Sequence, residues 1–145
     1  MEIRIAVTDM EIAACYPVMR ELRPHLVEDE FITRIRGQEK AGYRLAFVQH
    51  AADLVSVAGF REGNSLSWGH FLYVDDLVTL ATHRSKGYGA KLLEWLEEYA
   101  LAAGCQQFHL DSGIQRKAAH RFYEGTGMTV TGLHFVKMLA GRTQA

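Results

Sequence analysis

A stretch rich in β-branched and aromatic residues, Phe71 to Leu80, leads through a glycine-containing loop into an amphipathic helix. The loop reads Thr82-His-Arg-Ser-Lys-Gly-Tyr-Gly-Ala90. Beyond it, Gly89, Leu92, Leu93, Leu96, Ala100 and Ala103 form one apolar stripe, with Lys91, Glu94, Glu97 and Glu98 off it. Gly104 then reads as the C-cap. A strand, a glycine turn and a helix N-terminus in this order present consecutive N–H groups at the positive end of the helix dipole. Arg84 and Lys86 add two positive charges at its mouth. Such a nest suits a diphosphate.

Three nucleotide-binding loops compete for this segment, beside a plain turn. A Walker A loop needs Gly-Lys-Ser/Thr at its end, but Gly89 is followed by Ala90-Lys91-Leu92. A dinucleotide fingerprint needs a third glycine where Leu92 stands, and alternating βαβ units that the chain lacks. The pattern R-x-x-G-x-G/A is met by Arg84, Gly87 and Gly89, with Ala90 next.

The remaining elements follow from periodicity and punctuation. Ile3, Ile5 and Val7 alternate as a strand, and Thr8 with Glu11 forms a capping box. Ile12, Tyr16, Met19 and Leu22 recur at helical spacing, with a kink or restart expected at Pro17. A second helix is expected from about Glu28 to Lys40. Strands are expected over Tyr43–Gln49, Asp53–Phe60 and Phe71–Leu80, with a Gly-Asn hairpin turn between Arg61 and Ser65. After the amphipathic helix come a strand over Cys105–Asp111 and a helix over Gln115–Glu124 that turns Ala118, Ala119, Phe122 and Tyr123 inward. Strands over Met128–Thr131 and Leu133–Leu139 close the series. The expected order is βααβββαβαββ: an α+β fold with a mixed central sheet and helices on both faces. No linker or repeat divides residues 1–145, so one domain is expected.

Composition bears on partners. With 16 Lys+Arg against 17 Asp+Glu, the net charge of -1 gives no reason to expect a nucleic acid or an anionic membrane. No uncharged run approaches the roughly 20 apolar residues of a membrane span. Cys15 and Cys105 read as free thiols in a reducing compartment, which makes the cytoplasm the expected location. They are one short of a common metal-ligand set, and no metal motif stands out among the seven histidines.

Three segments together resemble the acetyl-CoA-binding half of the GNAT superfamily of N-acetyltransferases. Tyr73 to Leu93 resembles its fourth strand, pyrophosphate loop and third helix. Cys105 to Gly113 is similar to the fifth strand, and Ala119 to Met128 to the fourth helix and its FYE-x-x-GF turn, with Met128 where Phe is usual. The N-terminal half resembles the family in element order only. The resemblance implies that main-chain N–H groups of Arg84, Ser85, Lys86, Gly87, Tyr88, Gly89 and Ala90 hold the pyrophosphate of acetyl-CoA. It implies that the backbone of Leu77, Val78 and Thr79 pairs with the pantetheine arm, where the fourth and fifth strands usually splay.

The same resemblance places Tyr123 near the sulfur as general acid for the departing thiolate; core filling is the alternative. It gives Asp76 the proton of the attacking amine. Because successive strand residues point to opposite faces, only one of Asp75 and Asp76 is expected to face the cleft. An ordinary structural carboxylate and a purely water-borne base are the alternatives for Asp76. Asp111 and Ser112 either touch pantetheine or substrate, or cap the following helix.

The implied reaction is direct transfer of an acetyl group to a primary amine of a small molecule or peptide, with no covalent enzyme intermediate. A non-catalytic acyl-CoA sensor would keep the Arg84–Ala90 loop without needing Tyr123 and a cleft carboxylate. An RNA-directed acetyltransferase needs a basic surface that the net charge does not provide. The acidic run Glu28-Asp29-Glu30 fits either a cationic acceptor or a helix N-terminus. The apolar edge Leu133–Leu139 leads to the expectation of a homodimer.

Overall fold

The computed structural model describes residues 1–140. The chain divides into two units, Met1–His109 and a second one starting at Leu110. The first opens with strand β1 (Glu2–Ile5) and helix α1 (Asp9–Leu22). Their junction is the expected capping box. Glu11 N–H donates to Thr8 Oγ1 (3.1 Å), and Thr8 N–H donates to Glu11 Oε1 (3.0 Å). The Thr8 and Val7 N–H groups, both donating to Glu11 Oε1, hold the Glu11 carboxyl below the usual range. α1 continues through Pro17 as one helix, so the expected restart does not occur. Pro17 lies on the exposed side, and so does Ala13, whose carbonyl loses its helical donor to the proline. Water can serve that carbonyl.

Helix α2 (Glu28–Glu39) follows, then strands β2 (Arg44–His50), β3 (Asp53–Ser65) and β4 (Gly69–Thr79). A 3₁₀ turn over Ala81–His83 leads to helix α3 (Tyr88–Ala102) and strand β5 (Gln107–Leu110). The sheet order is β1-β2-β3-β4-β5, and the first three pairings are antiparallel. α3 joins β4 to β5 as the crossover that parallel neighbours need, so the sheet is mixed.

Alternation divides the core between two faces. On one, Leu45, Phe47, Val57 and Val78 pack with Ile12, Cys15, Tyr16 and Met19 of α1 and Phe31 and Ile35 of α2. The other is covered by α3, whose Leu92, Leu93, Leu96 and Ala100 are buried and whose Tyr99 meets Phe60 edge to face at 5.2 Å. Burial of Cys15 pushes its thiol up to about 12.

The expected Gly-Asn turn is instead part of the ladder. Gly63 pairs with Phe71 and Asn64 with His70, and the chain reverses over residues 66–68. Gly63 leaves room here for the Phe71 ring, whose Cζ would lie 2.6 Å from a Cβ at this position. Ser65 Oγ closes the actual turn by accepting from Trp68 N–H (3.0 Å).

In the second unit, helix α4 (Lys117–Gly125) forms with no residue buried, and Phe122, read as core, is exposed. The last two expected strands are not paired in the described residues. Residues 128–139 carry no ladder and are mostly exposed. A strand exists only through the ladder neighbour that satisfies its backbone, and among the described residues no such ladder forms here. No helix among the described residues is long and apolar enough to cross a membrane.

Candidate active site

The loop ahead of α3 has the geometry its glycines suggest. Ser85 (φ 64°) and Gly87 (φ 86°) both adopt left-handed backbone, and Gly87 is the N-cap of α3 with no side-chain cap. The first helical bond is Lys91 N–H to Gly87 O (3.0 Å). Among the described residues, the N–H groups of Ser85, Lys86, Gly87, Tyr88, Gly89 and Ala90 find no acceptor. Six consecutive donors at the positive end of a helix dipole form a strong anion site. Arg84, whose N–H is bonded to Ala81 O at 3.5 Å, differs from this set, although the resemblance groups it with them.

Side chains steady the loop. Arg84 Nε donates to Thr79 O (3.4 Å), and its guanidinium lies 3.9 Å from Glu21. The Tyr88 ring packs at 5.6 Å from His50 and 6.3 Å from His83. A Cβ at Gly89 would meet only Thr79 Oγ1, at an ordinary 3.5 Å. The protein itself therefore leaves the space above Gly89 open, as close approach of a ligand requires.

Leu77, Val78 and Thr79 lie at the end of β4, paired with Ala58, Val57 and Ser56. Buried Ser56 Oγ donates to Val78 O (2.9 Å) and lies 2.9 Å from Thr79 Oγ1. The strand that leads into the nest is thus held by side chains as well as by its ladder.

The carboxylates depart from the sequence expectation. Gly59 pairs with Asp76, but the next pair is Phe60 with Val74, which leaves Asp75 as a bulge residue. The bulge cancels the alternation, so Asp75 and Asp76 both point to the α1–α2 side of the sheet. Asp76 accepts from Arg23 Nε (2.9 Å) on Oδ1 and from Tyr43 Oη (2.8 Å) on Oδ2. Arg23 Nη2 also reaches Oδ1 (2.8 Å) and the Asp75 carbonyl (3.1 Å). Asp75 Oδ2 accepts from Arg61 Nε (2.8 Å) and pairs with its Nη2 (2.7 Å). Arg61 also donates to Gln38 Oε1 (3.1 Å) and stands 5.6 Å from the Tyr43 ring.

Two carboxylates, two guanidiniums and a phenol thus form one charge-balanced cluster. Both oxygens of Asp76 are occupied, whereas Asp75 Oδ1 has no partner among the described residues. Burial raises the Asp75 carboxyl above the ordinary range, Arg61 opposes that, and the neighbouring Asp76 adds to it. Burial, with the Asp76 charge, holds the Tyr43 phenol well above its usual range. Sequence reading did not single out Tyr43 or Arg61, and Arg23 entered it only as the start of a stretch, to Phe31, of candidate acceptor-specificity residues. Their only local signal is an Arg-Pro pair after a helix and an aromatic residue opening a strand.

In the second unit, Tyr123 is partly buried, and desolvation raises its phenol above the usual value against a smaller opposing effect of Arg116. Its carbonyl ends α4 by accepting from Thr126 N–H (3.0 Å), Thr126 Oγ1 (2.6 Å) and Met128 N–H (3.2 Å). Neither Asp111 nor Ser112 caps α4, which starts after Arg116 without a side-chain cap. Asp111 lies 3.7 Å from His134, and the buried Ser112 Oγ has no hydrogen-bond partner among the described residues. His120 Nε2 is bonded to Gly113 O (2.7 Å).

Residues 10–128 match the family described as Acetyltransferase (GNAT) family. The chain is 37% identical over 129 residues to the uncharacterized N-acetyltransferase YhdJ of Bacillus subtilis (strain 168), covering 88% of this chain and 91% of that protein. It is 38% identical over 66 residues to aminoalkylphosphonate N-acetyltransferase of Salmonella typhimurium, covering 46% of this chain and 43% of that one. In fold it is similar to a transcriptional regulator from Bacillus halodurans C-125, with a TM-score of 0.83 at 19% identity over 95% of this chain and 99% of that one.

Proposed function

The chain belongs to the GNAT acetyltransferase family, and from that premise we propose that it transfers the acetyl group of acetyl-CoA directly to a primary amine. The observation that carries this reading is the run of unpaired N–H groups from Ser85 to Ala90. They suit the pyrophosphate of coenzyme A, with Arg84 and Lys86 supplying charge and the backbone of Leu77, Val78 and Thr79 receiving the pantetheine arm. Binding thioester and amine together replaces a bimolecular encounter by an oriented one.

In this reading the amine nitrogen attacks the thioester carbonyl, the C–N bond forms, and the C–S bond breaks from the tetrahedral adduct. Tyr123, protonated at neutral pH, gives its proton to the departing thiolate. The proton of the ammonium goes to the Asp75–Asp76 pair. Asp76 is the acceptor that the family resemblance suggests, but its oxygens are already bonded. The open Oδ1 of Asp75, on a carboxyl made more basic by burial, is the first landing point, and Asp76 holds the pair in place.

The Salmonella relative bears the name of an enzyme acting on an aminoalkylphosphonate, so small primary amines are the first acceptors to test. Glu28, Asp29 and Glu30 fall in the first turn of α2, where the helix dipole accounts for them without a cationic acceptor. The reading includes a cytoplasmic enzyme, in keeping with two free thiols. It also includes a homodimer formed through Leu133–Leu139, where Phe135 and Val136 are exposed. Light scattering tests the dimer. An acceptor screen with acetyl-CoA and detection of released thiol tests the activity, with release expected only when a primary amine is present.

A further inference from the structure

On the sheet face opposite the carboxylate cluster, three metal-ligating side chains converge. Glu62 on β3 and His70 on β4 are diagonal neighbours, since Glu62 pairs with Leu72 and Asn64 with His70. His70 Nε2 and Glu62 Oε2 are 3.0 Å apart. Cys105 completes the group, and the ligand atoms of Glu62, His70 and Cys105 all lie within 4.8 Å of one another.

The backbone that carries these residues is held in place. Gly104 (φ 82°) turns the chain out of α3, and Cys105 N–H donates to Ala100 O (2.9 Å). The next N–H, of Gln106, donates to His70 O (2.7 Å). Cys105 is thereby pinned between the end of α3 and the start of β4, and the other two ligands sit on paired strands. Ligands on regular elements are better preorganised than ligands on loops.

We propose that Glu62, His70 and Cys105 form a binding site for a thiophilic divalent cation of the zinc class. A thiolate, an imidazole and a carboxylate are the donor types zinc takes, at about 2.3, 2.0 and 2.1 Å. Around one ion at these bond lengths, tetrahedral ligand atoms stand roughly 3.3–3.7 Å apart. The present triangle therefore needs only small side-chain adjustment. The hydrogen-bonded His70–Glu62 edge opens slightly as the metal takes Nε2. The proton between them moves to Nδ1 of a neutral His70 or, from an imidazolium, to solvent, and the thiol proton passes to solvent. Three protein ligands leave a fourth position for water. Glu62 is exposed and the other two are partly exposed, so an ion can enter from solvent. The bound ion would clip the β3–β4 hairpin to the corner between α3 and β5.

The test is Co²⁺ titration of the full chain, chelator-stripped and with both thiols reduced, followed by Zn²⁺ competition and melting curves. The expected result is a thiolate-to-cobalt charge-transfer band with tetrahedral d–d absorption, displaced by Zn²⁺, and a melting temperature that rises with Zn²⁺. Cys105→Ser should abolish the band, while Cys15→Ala should keep it. His70→Gln and Glu62→Gln should each weaken Zn²⁺ binding by at least roughly tenfold. Circular dichroism establishes that each variant is folded. The proposal is overturned if the reduced wild type gives no charge-transfer band, or if the band survives Cys105→Ser. It is equally overturned if the band needs Cys105 alone and is indifferent to His70 and Glu62.

Discussion

The Tyr43 hydroxyl reaches Asp76 Oδ2 at 2.8 Å through space that Gly59 leaves free. Gly59 is the ladder partner of Asp76, and a Cβ on it would lie 1.8 Å from Tyr43 Oη. A missing methyl group on one strand thus permits a hydrogen bond that engages the second oxygen of a carboxylate already paired with Arg23. Tyr43→Phe should destabilise the fold by about 1.5–3 kcal/mol, the range for a hydrogen bond to a charged group. Gly59→Ala forces the ring aside and should cost about 1–3 kcal/mol. Urea unfolding measures both, and an unchanged midpoint for Tyr43→Phe would remove the bond from the account.

Gly87 and Gly89 should separate in their effects. Gly87→Ala places a side chain at φ 86° and should cost about 1–2 kcal/mol of stability. Gly89→Ala has room in the free protein and improves helix propensity by about 1 kcal/mol, so its melting temperature should hold or rise. Its acetyl-CoA affinity should nevertheless fall, and Gly89→Val should abolish binding. Calorimetric titration against acetyl-CoA, with pantetheine lacking the pyrophosphate as control, reads this directly. Equal binding of the two ligands would overturn the assignment of the Ser85–Ala90 nest to the pyrophosphate.

Tyr123→Phe should leave stability and acetyl-CoA affinity nearly unchanged. If its hydroxyl protonates the thiolate, kcat should fall by about 10²- to 10⁴-fold at little cost in KM. The raised phenol keeps the donor protonated through neutral and mildly alkaline pH, so no loss from its ionisation is expected there. Unchanged kcat, with chemistry rate-limiting, would assign the acid to water.

Asp75 and Asp76 should differ in the pH dependence of their rate deficits. Asp75→Asn should lower kcat near neutral pH, with a deficit that shrinks as pH rises and the amine loses its proton unaided. In the wild type the rate should fall as pH drops through the Asp75 value, and this acid limb should lie above the ordinary carboxylate range because burial raises it. Asp76→Asn takes the counter-charge from Arg23 as Asp75→Asn does from Arg61, so each should lower the urea midpoint, and only the Asp75→Asn rate deficit should depend on pH. A pH-independent deficit for Asp75→Asn, with a pH-dependent one for Asp76→Asn, would return the proton-accepting role to Asp76.

Local spacing carried a large part of this protein. The Thr8–Glu11 capping box, the apolar stripe of α3 and the glycine nest before it depend on residues within a few positions of one another. Such interactions are readable from the chain because their geometry is that of one turn or one cap. Where local signals conflicted, the tertiary structure decided. Gly63-Asn64 looks like a hairpin turn, yet it pairs in the ladder, with the Phe71 ring beside Gly63, and the chain reverses over residues 66–68. Pro17 looks like a break, yet α1 passes through it on its exposed side.

The carboxylate pair shows the limit most clearly. From the sequence alone, alternation sends Asp75 and Asp76 to opposite faces. The bulge that unites them is a property of register between β3 and β4, set by which residues pair across the strands rather than by either strand alone. Their partners Arg23 and Tyr43 are 53 and 33 residues away from Asp76, and Cys105 meets His70 across the whole of α3. Contacts of this kind leave no periodic trace, because they are made by folding elements together and not by the conformation of any one of them. The sequence by itself therefore determined the elements from β1 to α4, their order and the glycine loop before α3. Only the tertiary structure decided which charges share a face, because their contacts join residues far apart in the chain.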